Sequence, residues 1–391
     1  MSEPLHVLVA GGGIGGLCTA IALRRIGAHV TVLERQPRVM EVGAGLSLWP
    51  NATRALRNMG LADLVQRLTT ASVEGGFFNH HGRLLAAGNT AALAAAYEDP
   101  TMIVHRGDLI DALHAEVPDE AIRCGVRCEG FSQDADGVEL ELQDSERVRG
   151  DVLVGADGIH SAIRRGLGHP STPRYAGYTA WRGVMRLEDA GLSVDGDFWG
   201  LYVGAGSQCG LNLMSEGRVY WFATQNVPAD GPQGAGGHKD ELVRLFAAWP
   251  EALRAVFDAT PDEAILRNDI VDLDPLSAWG NGRVTLLGDA AHATTPNMGQ
   301  GACMAIEDAV VLAQMLHAHA DVPTALRAYE DARLERTNRV VKQSRTFGRV
   351  FQLQNGFLCW LRDRMLAAAP VEKQLDRMRW VFEYDTGPVE G

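Results

Sequence analysis

The chain is short of positive charge. Lys and Arg total 36 against 49 Asp and Glu, the formal charge is -13 with a pI near 5.4, and no lysine precedes Lys239. Binding a polyanion needs a cationic stripe to neutralise phosphates, and none is written here, so neither nucleic acid nor an anionic membrane is expected as a partner. Long apolar runs are also missing: none approaches the roughly 20 residues of a bilayer-spanning helix. The first apolar run, Leu5 to Ala10, follows Met1-Ser2-Glu3-Pro4 and is too short, with no positive charge before it, for a secretory leader. Six cysteines (Cys18, Cys124, Cys128, Cys209, Cys303, Cys359) are scattered without paired zinc-type spacing, in a chain of 391 residues that has no need of disulfide staples. A reducing cytoplasmic setting and no metal site are therefore expected. His80-His81 and the pair His317, His319 lack further ligands at metal spacing and read as exposed histidines. Neither GxSxG nor HExxH occurs, which leaves hydrolase and zinc-protease chemistry without an anchor.

What the chain does have is apolar mass, 46% of its residues, enough for a large core and two packed lobes. Leu5 to Ala10 reads as a strand, the glycines from Gly11 as a tight turn, and Ile14 to Ile26 as a helix through Ile14, Leu17, Ile21 and Ala22. Gly27 stops that helix and His29 to Glu34 is a second strand, so the opening is βαβ and the sheet parallel. A glycine-rich loop from Val42 to Trp49 precedes a helix opened by Pro50-Asn51, and Asp136-Gly137 marks a hairpin within Gly125 to Val148. The alanine-rich run 86–96 reads as a surface helix or a cover. Between Tyr175 and Asn226 runs rich in Trp, Tyr, Phe and Val alternate with glycines, the pattern of an antiparallel sheet. A Pro/Gly-rich connector, Val227 to Gly237, and two helices near Lys239–Ala248 and Glu251–Ala259 follow, then a buried-type strand Arg283 to Leu287 and long helices from Gly301 to Tyr384. There is no internal repeat.

Gly11, Gly13 and Gly16 form GxGxxG between a strand and a helix, where backbone amides and the helix dipole meet a pyrophosphate. Glu34, closing the second strand, is placed to accept ribose hydroxyls. The fingerprint alone does not separate NAD from FAD, and Arg35 adds a second ambiguity because an arginine there can meet a 2′-phosphate. The later run Gly288-Asp289-Ala290 resolves the choice. Asp289 ends a strand and can bind ribityl hydroxyls, while Gly299 and Gly301 let backbone approach a ligand at the start of the next helix. The positive end of that helix favours negative charge on the pyrimidine edge of a reduced flavin.

GGGIGG from Gly11, GADG from Gly155 and GDAAHATTPNMGQGACMAIEDA from Gly288 resemble the group A, single-component FAD-dependent aromatic monooxygenases, over nearly the whole chain. Members similar by pattern include salicylate hydroxylase, 6-hydroxynicotinate 3-monooxygenase and FAD-dependent urate hydroxylase; VGAGLSLWPN and RYAGYTAW are most like the last. The resemblance implies an α/β fold: a Rossmann-like FAD-binding domain of the para-hydroxybenzoate hydroxylase type (1–170 and 275–345), an antiparallel-sheet substrate lobe (171–274) and a C-terminal helical segment (346–391). It implies non-covalent FAD reduced by NADH or NADPH, and reaction with dioxygen through a flavin hydroperoxide that hydroxylates a small aromatic or heteroaromatic substrate.

By the same resemblance Glu34, Arg35, Ser47, Arg106 and Asp289 contact FAD, and Gly299, Gln300, Gly301 and Ala302 lie under the isoalloxazine. Asp157 and Gly158 match a motif that serves both FAD and the nicotinamide; a turn and helix cap is the plainer alternative. Arg106, opening a helix, can instead be a surface ion-pair partner. Period-two spacing puts Tyr220, Phe222 and Thr224 on one sheet face and Trp221 and Ala223 on the other. The resemblance to urate hydroxylase implies that Tyr220 faces the substrate, to orient or help deprotonate a hydroxyl; a structural tyrosine is the alternative. Trp181, Trp199, Tyr202, Phe222 and Pro296 are candidate pocket walls, with sheet core as the competing role for the two tryptophans and Tyr202. Where urate hydroxylase has a substrate-binding arginine, this chain has Gly210 with no cation nearby, which points to a less anionic aromatic than urate. His292 reads as packing and Cys303 as an apolar filler.

Three other activities compete. Halogenation resembles a mechanism that needs an early lysine, and none is present. Epoxidation of an isolated double bond uses the same chemistry. From a different class, a non-catalytic flavin-binding redox sensor or carrier-protein partner would keep the FAD motifs without turnover, and a monomer or a homodimer fits any of them.

Overall fold

The computed structural model describes residues 4–39, 43–69, 75–88, 97–170, 172–196, 198–231, 236–368 and 371–390. Val42 of the glycine-rich loop, residues 89–96 of the alanine-rich run and 232–235 of the Pro/Gly-rich connector lie outside them.

A five-stranded parallel sheet runs in the order Val284–Leu286, Val152–Gly155, His6–Ala10, His29–Glu34, Ile122–Cys124. Strands buried on both faces must be apolar throughout, and Val7, Leu8, Val9, Val152, Leu153 and Val154 are all fully buried. Helix Ile14–Arg25 follows the first strand and ends where Gly27 takes φ +82°, with the Gly27 and Ala28 amides donating to Arg24 and Leu23 carbonyls. It packs against helix Gly301–Ala318. By length and composition this second helix can cross a membrane, yet 67% of it is buried inside the fold, where it is the central helix of the core. The Asp136-Gly137 turn joins Cys128–Gln133 to Val138–Leu142, as expected, and Arg147–Gly150 completes a three-stranded antiparallel sheet.

The second lobe is a seven-stranded sheet, in the order Leu266–Asp272, Arg174–Arg186, Arg218–Gln225, Ser207–Leu213, Gly200–Val203, Gly76–Asn79, Leu84–Ala87. The last two strands come from the segment expected to belong to the cofactor domain, a correction to the boundary at 171. Gly200 makes this junction, at φ +130°, where a Cβ would sit 2.0 Å from the Gly76 carbonyl oxygen. Helices Gly237–Leu245 and Glu251–Ala259 cover one face, over a core that includes Trp181, Trp221, Phe246 and Phe257. The other face turns to the first lobe. Arg218 bonds Asp108 at 2.6 Å, the Tyr178 hydroxyl donates to Asn297 Oδ1 at 2.8 Å, and Arg345 on the long helix Val322–Phe351 clamps Asp272 at 2.6 Å. Helices Gly356–Ala368 and Val371–Phe382 close the chain; Phe347 packs inward, whereas Phe357, Leu358 and Trp360 are exposed.

Candidate active site

The first strand ends at Ala10 and the helix begins at Ile14, leaving three glycines to turn the chain. Gly11 has φ +110° and a Cβ there would lie 2.4 Å from the Ala156 carbonyl oxygen, so only glycine fits. Gly16 touches Gly11 in the same way, at 1.9 Å from its oxygen. Nothing lies within 4 Å of a Cβ built on Gly13, which opens on a cavity of about 910 Å³. The Glu34 carboxylate stands at its wall and accepts the Gly12 and Gln36 amides at 2.7 and 2.8 Å.

The same cavity collects residues from far along the chain. Of the residues expected to hold FAD, Gly11, Gly13, Glu34, Arg35, Ser47, Arg106, Asp157, Asp289, Gly299, Gly301 and Ala302 line it, as does Pro296. Two do not. Gly16 serves the helix–strand packing just described, and the buried Gln300 side chain accepts the Asn51 amide at 2.9 Å. Residues that the motifs did not single out also line it, among them Thr294, Arg127 and Cys128, which fall at loop and strand ends without a local signature.

Beneath the wall formed by Gly288 and Asp289 lies a buried charge network. Arg333, fully buried, bonds Glu307 at 2.6 Å and Asp308 at 2.7 Å; Arg336 bonds Glu307 at 2.7 Å. Burial raises both carboxyls, but the guanidinium contacts, with His292 at Asp308, outweigh it and hold both below the ordinary carboxylate range. Asp308 accepts the Gly288 amide at 3.1 Å and contacts His292 Nε2 at 2.6 Å. His292 therefore fixes the segment, a packing role. Cys303 is fully buried and its thiol is pushed up to about 12 by that burial, which leaves it inert as a nucleophile.

Several polar groups at the cavity await a partner. Asp289 is exposed to it and makes no hydrogen bond among the described residues. Asp157 caps the helix Ala162–Gly166 through Oδ2, which accepts Ala162 N–H at 2.6 Å, while its buried Oδ1 has no partner. Thr294 Oγ1 is also buried and unbonded. The helix N-terminus at Gly301 and Ala302 presents free amides on the same side. An elongated ligand with a diphosphate, sugar hydroxyls and a polar ring matches this donor and acceptor set, so the residues fit FAD.

The sheet lobe meets this wall through Tyr220. A Cβ on Gly45 would lie 2.4 Å from the Tyr220 ring, and two residues along the same strand, Gly45–Leu48, Ser47 lines the cavity. Phe222 shares the Tyr220 face, with ring centroids 6.1 Å apart. Burial pushes the Tyr220 phenol above its ordinary value, with Arg182 working against the shift. Trp181, Trp199 and Tyr202 are elsewhere: 0 to 2% exposed, they belong to the core between sheet and helices. Period-two alternation explains this correction, because Trp181 and Trp221 point opposite to Tyr220. Trp199 Nε1 donates to Val194 and Tyr202 Oη to Phe198, so their polar atoms are satisfied inside that core.

A glycine fingerprint, a strand-end acid and a second glycine-rich helix start, converging on one cavity beside an antiparallel sheet, define a flavoprotein of the para-hydroxybenzoate hydroxylase fold. Residues 4–344 match the family model described as FAD binding domain, and the chain belongs to that family, the group A FAD-dependent aromatic monooxygenases. It is 41% identical to aurachin C monooxygenase/isomerase of Stigmatella aurantiaca over 369 residues, 94% of each chain. It is 33% identical to FAD-dependent urate hydroxylase of Klebsiella pneumoniae over 366 residues, 92% of this chain and 95% of the relative. The crystal structure of Klebsiella pneumoniae HpxO complexed with FAD and uric acid superposes with a TM-score of 0.92 at 30% identity, covering 100% of this chain and 99% of the other.

Proposed function

We propose that this FAD-dependent monooxygenase takes its electrons from NADH or NADPH and inserts one atom of dioxygen into a small aromatic or heteroaromatic ring, in the cytoplasm. The observation that carries the reading is the junction of Tyr220 with the cavity wall through Gly45 and Ser47, which brings a sheet face to the place where a flavin ring would end. Bound FAD would supply the redox and oxygen-transfer chemistry. Asp289, Glu34 and the amides at Gly301 and Ala302 would hold it, Arg106 would take a phosphate or ring oxygen, and the helix N-terminus would favour the anionic reduced form by about 0.3–1 kcal/mol. Tyr220, its phenol raised by burial, keeps its proton at neutral pH and acts as a hydrogen-bond donor to the substrate rather than as a base. Phe222 beside it gives the ring an apolar floor and keeps water away. The units 1–170 with 275–345, 171–274 and 346–391 belong to this proposal, with the strands between Gly76 and Ala87 moved to the substrate lobe.

The test is to incubate flavin-loaded protein with NADH or NADPH, labelled dioxygen and a pooled library of phenolic and heteroaromatic compounds. One label in an aromatic product, found by mass spectrometry, is the expected result. Flavin reduction that yields hydrogen peroxide with every compound, or no reduction at all, would contradict it.

A further inference from the structure

Gly210 carries no cation, but one stands on the same cross-strand row. Gly210 pairs across the sheet with Phe222, and Phe222 pairs on its other side with Arg182, so the three form one cross-strand row. With no side chain at Gly210, the Phe222 ring occupies that place: a Cβ there would lie 2.2 Å from it. Arg182 stands at the far end of the row, on the face that carries Tyr220 and Tyr178, and acts electrostatically on both phenols. Tyr178 in turn bonds Asn297 in the turn Pro296–Met298, beside the cavity-lining Pro296 and Gly299. Arg182 is only partly buried, and among the described residues its side chain makes neither a hydrogen bond nor an ion pair. On the adjoining strand Leu266–Asp272, Asp269 is bonded to Thr179 and Asp272 to Arg174 and Arg345. A guanidinium that water reaches and that no protein carboxylate holds among the described residues is open to a ligand's oxygen. Its planar fork suits a carboxylate, phenolate or ring carbonyl.

We propose that Arg182 is the specificity-determining residue of the substrate chamber, and that it anchors an aromatic substrate by an anionic or carbonyl oxygen. The proposal deepens the monooxygenase reading and reverses the expectation of a less anionic ligand. Gly210 leaves room for an aromatic floor, and the cation enters from two strands away.

Flavin-loaded wild type, Arg182→Met and Arg182→Lys are titrated with matched pairs of aromatic compounds, with and without the oxygen (salicylate and phenol, 4-quinolone and quinoline), reading the flavin difference spectrum. Wild type should prefer the oxygen-bearing member of at least one pair by about 10- to 100-fold, the range for hydrogen bonds to a charged group. Arg182→Met should flatten that preference while flavin content is unchanged, and Arg182→Lys should recover part of it. The carboxylate and carbonyl pairs show which oxygen is taken. Equal preference in wild type and Arg182→Met, or no spectral response from any pair in wild type, overturns the proposal. Labelled-oxygen incorporation is scored separately: preference without incorporation breaks the monooxygenase reading alone, and incorporation indifferent to Arg182 breaks this inference alone.

Discussion

The two faces of the seven-stranded sheet are made of the same strands and do opposite work. One carries Trp181, Trp221 and Tyr202 into helices Gly237–Leu245 and Glu251–Ala259, where Trp221 Nε1 donates to Thr260 at 2.9 Å and Tyr202 Oη to Phe198 at 2.8 Å. The other carries Tyr220, Phe222 and Arg182 to the cofactor domain, with partial exposure and, among the described residues, no ion pair for the Arg182 charge. Adjacent residues such as Trp181 and Arg182 thus face the covering helices and the cofactor domain respectively. A large aromatic beside a pocket is more often holding the wall up than touching what is inside it.

The comparison can be broken at four points. The largest effect is expected below the cofactor wall, where Arg333→Met removes the fully buried cation shared by Glu307 and Asp308, leaving only Arg336 and His292 to them, and should cost about 3–5 kcal/mol in denaturant unfolding. The same network sets an acid limit. Folded Glu307 and Asp308 titrate below their unfolded values of about 4, so the unfolded chain binds more protons as pH falls, and stability held above that range is lost as pH drops through the folded values. Unfolding curves from pH 6 down to 3 that stay superposed would remove the network from the account. Next comes Asp289→Ala, expected to weaken FAD retention about 10- to 100-fold through loss of a charged acceptor; normal flavin absorbance in the purified variant would show that Asp289 is not a cofactor ligand. Tyr220→Phe should be milder, a reduction of about 3- to 10-fold in substrate affinity or turnover for one neutral donor, with the FAD spectrum intact. No change in either quantity would return Tyr220 to the structural class. The smallest effect on ligands belongs to Trp181→Phe: a lower melting temperature with substrate affinity altered less than about twofold. A large loss of affinity there would erase the distinction between the faces.

How far each region was legible follows from how it is built. The cofactor cavity relies on glycines with forced geometry, such as Gly11 at φ +110° and Gly299 at φ +62°, and on acids at strand ends. Those requirements are local and leave a spaced signature, so Gly13, Glu34 and Asp289 could be assigned to one site from the sequence, whereas Asp157 came only through the family resemblance and also caps a helix. Gln300 broke the pattern because its side chain answers a partner 249 residues away, Asn51. In the sheet, alternation separated Tyr220 from Trp221 correctly. It did not say which face the helices would cover, since that depends on contacts with segments some 20 to 60 residues distant. Applied to the strand Arg174–Arg186, the same period would have set Arg182 apart from Trp181; the tryptophan's size drew attention to the wrong neighbour. The two edge strands, Gly76–Asn79 and Leu84–Ala87, have no marker of the sheet they join.

A crystal structure of the FAD-loaded protein with the oxygen-bearing compound that it binds most tightly tests the division of the sheet most directly. The account places the aromatic ring between the flavin and the Tyr220–Phe222 face, with an oxygen within hydrogen-bonding distance of the Arg182 guanidinium. A ligand bound elsewhere, with Arg182 paired to a protein carboxylate, would contradict it.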